Sequence, residues 1–531
     1  MTTRSHKDIV QQLARLALAL TAEKDHRRLL SKIMQGCIEL TNADAGTLYT
    51  LSGTHPDALA FTLMCNRTLG LEEPEADLAP VALFDRRGEA SKLVVVQTFL
   101  QQTTVNIPDA YHCQQYDFSG TRRFDAQFHY HSKSFLCVPL KDHEGEMIGV
   151  LQLINAMDDQ GQIQPFSAEQ QQLVESLSSM AATALTKRKL IDSQRALLES
   201  FIKMIARAID HKSPVTGKHC ENVPAIALTL AEAVCEASDG PFGDTRFTEQ
   251  QMYELKIAAW LHDCGKITTP EHIIDKGTKL ETMFDRLELV AARFSQLKQH
   301  LYIELLERLP SLSDNAARQA RRAYEDRCRQ LDEDLAFLRT TNRGGEFLAD
   351  EALARIAEIG KVGWTDSYGS SHQLLTEDEI ANLSIRRGTL TDDERNIMRD
   401  HILVTIDMLE ALPYPKPLAN VPEIAGNHHE CMDGSGYPRG LTGQQMSLRA
   451  RIMCIADIFE ALTSPDRPYK KGMMLSQALT IIGRMVEENK LDRELFNLFV
   501  TSGAYLRYAE QHMAAKQIDQ VELNTLPGLH L

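Results

Sequence analysis

The strongest constraint on the fold is a helical pattern that continues almost without a break from residue 168 to about residue 210. Apolar residues there fall near one stripe: Leu173, Leu177, Met180, Ala184, Leu190, Leu197 and Phe201. About forty residues at ~1.5 Å each give a helix of roughly 60 Å, which could connect two domains and line a dimer interface. Two shorter helices with a kink between them are the alternative. We predict a connector helix over residues 171–210, with a domain on either side.

The sequence before this helix predicts an α+β domain over residues 25–170, preceded by an amphipathic helix over residues 1–24. The predicted strands are short apolar or β-rich stretches separated by turn residues: Ala45–Leu51, Leu59–Met64, Leu93–Thr98, Ser134–Pro139 and Met147–Ile154. Residues 142–145 are typical of a hairpin turn between the last two stretches. We therefore expect an antiparallel sheet with flanking helices.

The sequence after the connector predicts an all-α domain over residues 200–520. Within this domain, residues 281–388 differ in character, because they form a long and highly charged segment. Apolar residues on either side of Pro310 step by threes and fours, as in an antiparallel pair of helices. Residues 342–345 and 363–371 are typical of loops. The sequence therefore predicts a helical hairpin inserted into the second domain.

The composition is that of a multidomain globular protein. The chain has 531 residues, of which 43% are apolar and 24% charged. No apolar stretch approaches the roughly 18–20 residues of a membrane-spanning helix. A net charge of −16 disfavours general binding of DNA or RNA, so a nucleotide ligand would need a local site. The ten cysteines are scattered without a CxxC pair, which predicts reduced thiols and a cytoplasmic location.

A first candidate metal-binding motif follows an apolar helical run. His262 and Asp263 are an imidazole and a carboxylate side by side, a suitable pair of ligands for a divalent transition metal. Gly265 and Lys266 follow at once. A lysine in such a turn can hold a phosphate oxygen as a point charge.

A second candidate motif occupies residues 427–438. His428 and His429 are adjacent, so they can serve one site only if that site holds more than one metal or lies at a helix end. Glycine and proline residues then force an irregular loop, and Tyr437 within it could stack on a base or bond a phosphate. A His-rich surface turn is the alternative.

Three further polar residues lie near apolar helical faces: His219, His401 and Asp457. Each of them alone is as readily a core or capping residue as a ligand. Asp457 is the least ordinary of the three, because a carboxylate in the apolar run 453–459 is costly to bury without a partner. A metal ion would be such a partner.

Together these motifs resemble the HD-GYP family of cyclic-di-GMP phosphodiesterases, a branch of the HD metal-dependent phosphohydrolases. Residues 262–266 match the family's HDxGK motif, and residues 428–441 match HHExxDGxGYPxGL at every fixed position. Residues 456–469 match the motif AD…ALTSxRPY with one extra residue before Arg467. Residues 216–219 match T-G-x-H.

The resemblance implies a ligand set and a reaction. The implied metal ligands are His219, His262, Asp263, His401, His428, His429 and Asp457. The implied catalytic residues are Asp263, which would bridge the metals, with His262 and Lys266. The residues implied to shape the nucleotide pocket are Lys266, Gly436, Tyr437, Pro438, Arg467 and Tyr469. The loop around Tyr437 would also receive partner proteins. The cofactors would be two divalent ions, iron or manganese, acting in metal-assisted hydrolysis of a phosphodiester.

Two departures from the family pattern carry expectations of their own. Some members have a glutamate four residues before the first ligand histidine, associated with a third metal, where this chain has Val215. Because valine cannot ligate, we favour a two-metal centre. The other departure is the segment 281–388, which interrupts the family's path from HDxGK to His401. It could be a lid, a dimer contact or a partner platform, or an inert excursion.

The N-terminal domain is similar to a GAF domain of the cyclic-nucleotide phosphodiesterase type. The likeness lies in residues 125–139 and 145–155. Asn155, Phe166 and Glu169 keep part of the family's N-K-F-D-E signature, but Ala156 replaces its lysine. This substitution disfavours cyclic-nucleotide binding and leaves the ligand unknown. A ligand-free dimerisation unit is the alternative.

The resemblance thus predicts a bacterial signalling enzyme that hydrolyses cyclic-di-GMP to pGpG, or onward to GMP, under control of the GAF domain. We expect a cytoplasmic homodimer with no membrane partner. Two alternatives remain open at this point. The protein could be a catalytically silent cyclic-di-GMP receptor, or it could hydrolyse another cyclic dinucleotide such as cyclic GMP-AMP.

Overall fold

The structure is a computed structural model that describes residues 19, 23, 25–52, 57–74, 78–85, 87–212, 219–345, 347–366, 368–464 and 472–530. The helix predicted over residues 1–24 falls almost wholly outside the described residues. The chain divides into two compact units, residues 1–197 and 198–531, which are described in turn.

The first unit is an antiparallel sheet flanked by helices, as predicted. Its helices are α1 (His26–Thr41), α2 (Val94–Gln101) and α3 (Ser119–Phe128). Its strands are β1 (Ala43–Leu51), β2 (Ala58–Asn66), β3 (Leu71–Pro74), β4 (Val81–Ala82), β5 (Val105–Ile107), β6 (Phe135–Lys141), β7 (Met147–Met157) and β8 (Ile163–Gln164). The strand order is β3-β2-β1-β7-β6-β5, with β4 paired to β2 and β8 to β7.

The alternation of side chains along the strands gives this sheet two apolar faces. On β6, Leu136 and Val138 belong to the cluster that packs under α1, whereas Phe135 and Cys137 belong to the cluster that packs under α2. Both faces are covered, so the central strands are nearly continuous apolar runs. The hairpin from β6 to β7 pairs Leu140 with Gly149 and forms at the predicted turn.

The predicted strand at Leu93–Thr98 is wrong, because these residues lie in helix α2. Their β-branched side chains favour a strand locally. In the structure Val94, Val95 and Val96 are buried against the sheet, which a helix achieves by packing one face on it. Tertiary packing therefore overrides local propensity at this position.

The connector forms one continuous helix, α4 (Ala168–Lys212), rather than two shorter helices. Its first half packs on the sheet through Val174, Leu177 and Ala181. Further along, the helix exposes two rows of apolar residues spaced by seven: Leu190, Leu197 and Met204, and Ile191, Leu198 and Ile205.

The second unit is helical apart from one short hairpin, in the part of the chain that the structure describes. Outside the inserted segment its helices are α5 (His219–Glu236), α6 (Glu249–Leu261), α7 (Glu271–Ile274), α12 (Asp392–Arg399), α13 (His401–Glu410), α14 (Val421–Gly426), α15 (Leu448–Thr463), α16 (Leu475–Glu487), α17 (Arg493–Thr501) and α18 (Ala504–His512). One apolar cluster joins these helices other than α7 and α12, and it includes Val223, Ile257 and Ile455, all without solvent exposure. The all-α prediction for this part is confirmed.

The inserted segment is larger than the predicted hairpin. It contains the helices α8 (Leu287–Arg308), α9 (Asp314–Asn342), α10 (Asp350–Gly360) and α11 (Glu377–Leu383), and the strands β9 (Gly363–Thr365) and β10 (Ser371–Gln373). α8 and α9 are antiparallel, since Tyr302 near the end of α8 meets Tyr324 near the start of α9, with 5.6 Å between the ring centroids. Residues 363–371 were predicted to be a loop. Instead, β9 and β10 form a short hairpin there, in which Ser371 pairs with Thr365.

The insertion has an apolar core of its own and a polar anchor at its root. Phe294, Leu331 and Leu338 lie at the centre of this core. At the root, the Lys279 ammonium is buried and donates to the carbonyls of Leu383 (3.0 Å) and Ile385 (2.7 Å). Burial lowers the pKa of Lys279 to about 8. The two ends of the segment are therefore joined directly, and its interior packs as a separate cluster.

None of the described helices has both the length and the apolar character needed to cross a bilayer.

Truncation of the insertion core should destabilise the insertion alone. We expect Phe294→Ala, at a side chain 1% exposed, to cost about 3–5 kcal/mol of local stability. Hydrogen–deuterium exchange of peptides from α8 and α9 would measure this loss, while exchange in α5 and α15 should not change. Leu306→Ala, at an exposed position of α8, is the matched control. Equal destabilisation of α15 would contradict a separate core.

Candidate metal centre

The structure brings the seven predicted ligand residues together in the second unit. Each lies at a helix end or on a helix of the apolar cluster: His219 at the start of α5, His262 and Asp263 just after α6, His401 at the start of α13, His428 and His429 just after α14, and Asp457 within α15. Helix ends allow adjacent residues to point into the same space, which is how His428 and His429 both reach the site.

One side of the site is formed by His219, His262, Asp263 and Asp457. The Nε2 atoms of His219 and His262 are 3.0 Å apart. His219 Nε2 lies 3.2 Å from Asp263 Oδ2 and 3.3 Å from Asp457 Oδ1. These four side chains therefore aim nitrogen and oxygen atoms at one small volume.

The other side of the site is formed by three histidines. The ligand atoms of His401, His428 and His429 all lie within 4.8 Å of one another. The second oxygen of Asp263, Oδ1, lies 3.3 Å from His401 Nε2 and 3.9 Å from His428 Nε2. Asp263 thus presents one carboxylate oxygen to each half of the site.

Hydrogen bonds on the far side of the rings fix the orientation of the histidines. His262 Nδ1 donates to the carbonyl of Ala259 (2.8 Å), and His428 Nδ1 donates to the carbonyl of Ala425 (2.6 Å). His401 Nδ1 bonds the carbonyl of Met398 in the same way. With the proton held on Nδ1, the lone pair of the neutral ring lies on Nε2, which faces the site.

These residues fit the binding of divalent transition metals. The Nε2 atoms of His401 and His428 are buried and lack a hydrogen-bond partner among the described protein atoms. A buried nitrogen lone pair without a partner is costly, and a cation would satisfy it. Imidazole and carboxylate together suit iron, manganese or zinc. The side chains are therefore arranged as ligands around a space that a metal cation would fill.

The electrostatics of the site support the same conclusion. Burial acts to raise the pKa of Asp263, but the Lys266 ammonium and the neighbouring imidazoles outweigh it and hold this pKa well below its usual range. Burial acts to raise the pKa of Asp457 as well, and hydrogen bonds from His219 and His262 lower it. Burial lowers the pKa of His429 to about 4. For two other histidines burial alone would lower the pKa, but the neighbouring carboxylates outweigh it. They raise the pKa of His262 to about 9 and that of His219 well above its usual value. Since a metal binds the neutral ring, binding of a cation would release protons from these two histidines.

Glu460 is a functional residue that the sequence analysis missed. It lies one helical turn after Asp457 on α15, and its Oε2 atom is 2.5 Å from His219 Nδ1. Asn222 donates to its other oxygen (3.2 Å). A carboxylate behind a ligand histidine orients the ring and raises its basicity. The spacing of Asp457 and Glu460, three residues apart on a helix, is the signal that could have found it.

The turn after Asp263 is pressed against α13. The backbone N–H of Gly265 donates to Thr405 Oγ1 (2.9 Å). A Cβ atom at residue 265 would lie 2.0 Å from the carbonyl oxygen of His401, so only glycine fits. This contact brings Asp263 and His401 together. The Lys266 ammonium lies 2.5 Å from Asp263 Oδ2, at the edge of the site.

The loop at residues 430–441 closes over the site through backbone contacts. Glu430 is buried and accepts hydrogen bonds from the backbone N–H groups of Arg439 (2.7 Å) and Leu441 (2.9 Å). A Cβ atom at residue 436 would lie 2.4 Å from the Glu430 Cα atom, so Gly436 is required by the close passage of the chain.

This loop places Tyr437 beside the candidate metal ligands. Its ring stacks on His429, with 4.8 Å between the centroids, and the Arg399 guanidinium lies 5.3 Å from its centre. Pro438 follows directly in the loop. Arg399 is a second residue that the sequence analysis missed, and it places a positive charge beside the site.

Several predicted residues cannot be placed. Val215 and Thr216–Lys218 lie outside the described residues, as do Arg467 and Tyr469. The argument from Val215 for two metals therefore stays a prediction, as do the roles of Arg467 and Tyr469 in the nucleotide pocket.

Comparison with known families agrees with the two units. Residues 25–185 match the family model of the GAF domain, and residues 376–495 match that of the HD domain. The chain carries a GAF domain and an HD domain. The resemblances found in the sequence are confirmed at the level of these two domains.

Three curated relatives match parts of the chain. The 3'3'-cGAMP-specific phosphodiesterase 1 of Vibrio cholerae is 49% identical over 78 residues, or 15% of this chain and 18% of that protein. A cyclic di-GMP phosphodiesterase of Pseudomonas aeruginosa is 38% identical over 146 residues, 27% of this chain and 32% of that protein. A cyclic di-GMP phosphodiesterase of Thermotoga maritima is 29% identical over 229 residues, 39% of this chain and 59% of that protein. The matched regions span less than two thirds of each relative.

The GAF domain contains a cavity of about 610 Å³ on one face of its sheet. Tyr49, Phe124, Tyr130 and Gln152 are among its lining residues, and the described lining residues include no lysine or arginine. Asn155, part of the signature noted above, is used within the protein. Its side chain accepts from the backbone N–H of residue 133 (2.8 Å) and donates to the carbonyl of residue 131 (2.8 Å). This asparagine therefore holds the backbone of residues 131–133 in place.

Loss of the Glu460 charge should weaken metal binding to the HD domain. We expect Glu460→Gln to lower metal affinity about 10- to 100-fold, because a ligand histidine loses its orienting carboxylate. Titration of the metal-stripped protein with Fe(II) or Mn(II) under anaerobic conditions measures this. Glu488→Gln, at an exposed residue after α16, is the control. Unchanged affinity in Glu460→Gln would show that the carboxylate does not support His219.

Proposed function

We propose that the protein is a metal-dependent phosphodiesterase that hydrolyses cyclic-di-GMP to pGpG, or onward to GMP, in the cytoplasm of a bacterium. The observation that carries this proposal is the Asp263 carboxylate, whose two oxygens face two groups of imidazole nitrogens. The names of the Pseudomonas and Thermotoga relatives support the substrate.

The centre would hold two divalent cations, iron or manganese. His219, His262 and Asp457 would hold one cation and His401, His428 and His429 the other, with Asp263 shared between them. When bound, the cations would lower the pKa of water and offset negative charge on the phosphoryl oxygens.

The protein's own residues orient the substrate beside this centre. The Lys266 ammonium lies at the edge of the site and can donate to a phosphate oxygen without leaving the neighbourhood of Asp263. Tyr437 presents an aromatic ring beside His429, where a guanine base can stack. Gly436 and Pro438 hold this ring in place, and Arg467 and Tyr469 would complete the pocket. The same loop is the proposed contact for protein partners.

A second candidate substrate is 3'3'-cyclic GMP-AMP. The observation that favours it is the 49% identity to the Vibrio cGAMP-specific enzyme over 78 residues. The metals act on phosphate and not on the base, so the ligand set serves both substrates. A silent receptor is less favoured, because a receptor has no need of the complete ligand set.

Hydrolysis should depend on the ligand residues and distinguish the two substrates. The anaerobically purified protein, with Fe(II) or Mn(II), should convert cyclic-di-GMP to pGpG and carry about two metals per chain. His262→Ala and Asp263→Ala should abolish turnover and lower the metal content. His272→Ala, at an exposed histidine of α7, should change neither. Faster turnover of cyclic GMP-AMP than of cyclic-di-GMP would favour the second substrate, and ligand binding without turnover would favour the receptor.

We also propose that the protein is a homodimer whose connector helices pair along residues 190–205. Leu190, Leu197 and Met204 are each more than half exposed and repeat every seven residues, the spacing of a coiled-coil seam. The row Ile191, Leu198 and Ile205 widens this seam. An exposed apolar stripe of this length is costly in water, and a second copy of the same helix would cover it.

Charges on the stripe should separate the dimer. We expect the double variant Leu197→Glu/Met204→Glu to sediment as a monomer at micromolar concentration, because paired glutamates would be buried at the seam. Analytical ultracentrifugation measures the change. Asp192→Asn, at an exposed position on the opposite side of the helix, should leave the oligomeric state unaltered. A dimeric double variant would move the interface elsewhere.

A further inference from the structure

The last residue of α4 reaches the turn that carries Lys266. The Lys212 ammonium donates to the carbonyls of Lys266 (3.3 Å) and Thr269 (2.7 Å), and also to the carbonyl of Ile267. A lysine ammonium has three donors, so these contacts use its full hydrogen-bonding capacity. The three acceptors lie within one short turn.

This turn ends in carbonyl groups that a donor from another element can reach. The Lys266 carbonyl also accepts from the backbone N–H of Thr269 (3.1 Å). Residues 264–268 form a 3₁₀ helix, and the carbonyl end of any short helix leaves acceptors unpaired. A cation at that end is favourable, because the carbonyl dipoles point towards it. Lys212 therefore acts as a cap that is supplied by another helix.

The two halves of the turn are held by different elements. α13 holds the first half, through the close passage of Gly265 and its hydrogen bond to Thr405. Lys212 holds the second half, where the backbone of Lys266 lies. Since the Lys266 side chain points to Asp263, a shift of its backbone would move the ammonium relative to the site.

We infer that Lys212 is a positioning residue for the phosphodiesterase reaction, acting by fixing Lys266 where it meets the substrate phosphate. The inference rests on the proposed function. Lys212 is also the end of the helix that begins at Ala168, directly after the GAF sheet.

The first test uses single variants of the full chain. Lys212→Met keeps the aliphatic stem and removes the three donors. We expect its kcat/KM for cyclic-di-GMP to fall about tenfold, since small misplacements of a reacting group have effects of this order or larger. Its metal content should equal that of the unchanged protein. Lys212→Arg should restore most of the activity. Lys203→Met, which removes an ammonium on the same helix that lies over the Trp260 ring, should have no effect.

The second test separates positioning from general support of the fold. Lys212→Met and Lys266→Met are combined, and the double variant should be no slower than Lys266→Met alone, because Lys212 acts through Lys266. Multiplied losses would overturn the inference, as would an unchanged kcat/KM in Lys212→Met or a loss of bound metal in that variant.

A third measurement does not depend on turnover. Hydrogen–deuterium exchange of the peptide covering residues 264–269 should be faster in Lys212→Met than in the unchanged protein, and not faster in Lys203→Met. Equal exchange in all three proteins would overturn the inference. If the unchanged protein hydrolyses neither cyclic dinucleotide, the proposed function fails, and the exchange result still decides whether Lys212 holds the turn.

Discussion

The contacts of the Asp263 carboxylate with the histidines around it are the interaction on which the site in the second unit depends. One of the carboxylate oxygens lies 3.2 Å from His219 and the other 3.3 Å from His401, so two halves of a histidine cluster share a single charged group. Asp263 is 2% exposed, and a buried carboxylate is stable only with cationic partners. The helices around it therefore do more than fill a core, because they hold imidazole and ammonium groups at hydrogen-bond distance from this one side chain.

The scaffold achieves this through the ends of helices. His219, His262, His401 and His428 all lie at or next to a helix terminus, where backbone carbonyls and irregular geometry can orient a ring. Backbone carbonyls accept hydrogen bonds from Nδ1 of three of the histidines, and Glu460 accepts one from Nδ1 of His219. The apolar cluster keeps the helices in place. These contacts fix the orientation of the histidine rings, while Lys266 and Tyr437 lie at the edge of the site.

Two additions distinguish this chain from a bare HD domain. The insertion between α7 and α12 closes on itself at Lys279 and packs its own apolar core. The connector helix ends at Lys212, in contact with the turn that follows the ligand Asp263. The helix that ends at Lys212 runs without a break from Ala168, the first residue of α4.

The sequence by itself determined the local features. The strands β1, β2, β6 and β7, the connector and the helical second unit follow from periodicity, whereas the shorter strands β3, β4, β5 and β8 were not predicted. His262, Asp263, His428 and His429 stand out because they form compact motifs. Residues 94–98 were wrongly predicted as a strand, because their β-branched side chains favour a strand locally. The local sequence does not show that they pack on a sheet as a helix. The helix and strands at residues 350–373 were missed because the apolar pattern there is short.

Only the tertiary structure decided which distant residues meet. His219 and Glu460 are separated by 241 positions, and Gly265 and Thr405 by 140, so no spacing rule connects them. Lys212 belongs to no motif in the sequence, and it becomes a cap only because α4 ends beside the 264–269 turn. Motifs identify which residues can do chemistry, since residue type fixes pKa and ligand character. The packing of helices decides their distances, because contacts between remote segments arise only when the apolar faces of those helices are buried together.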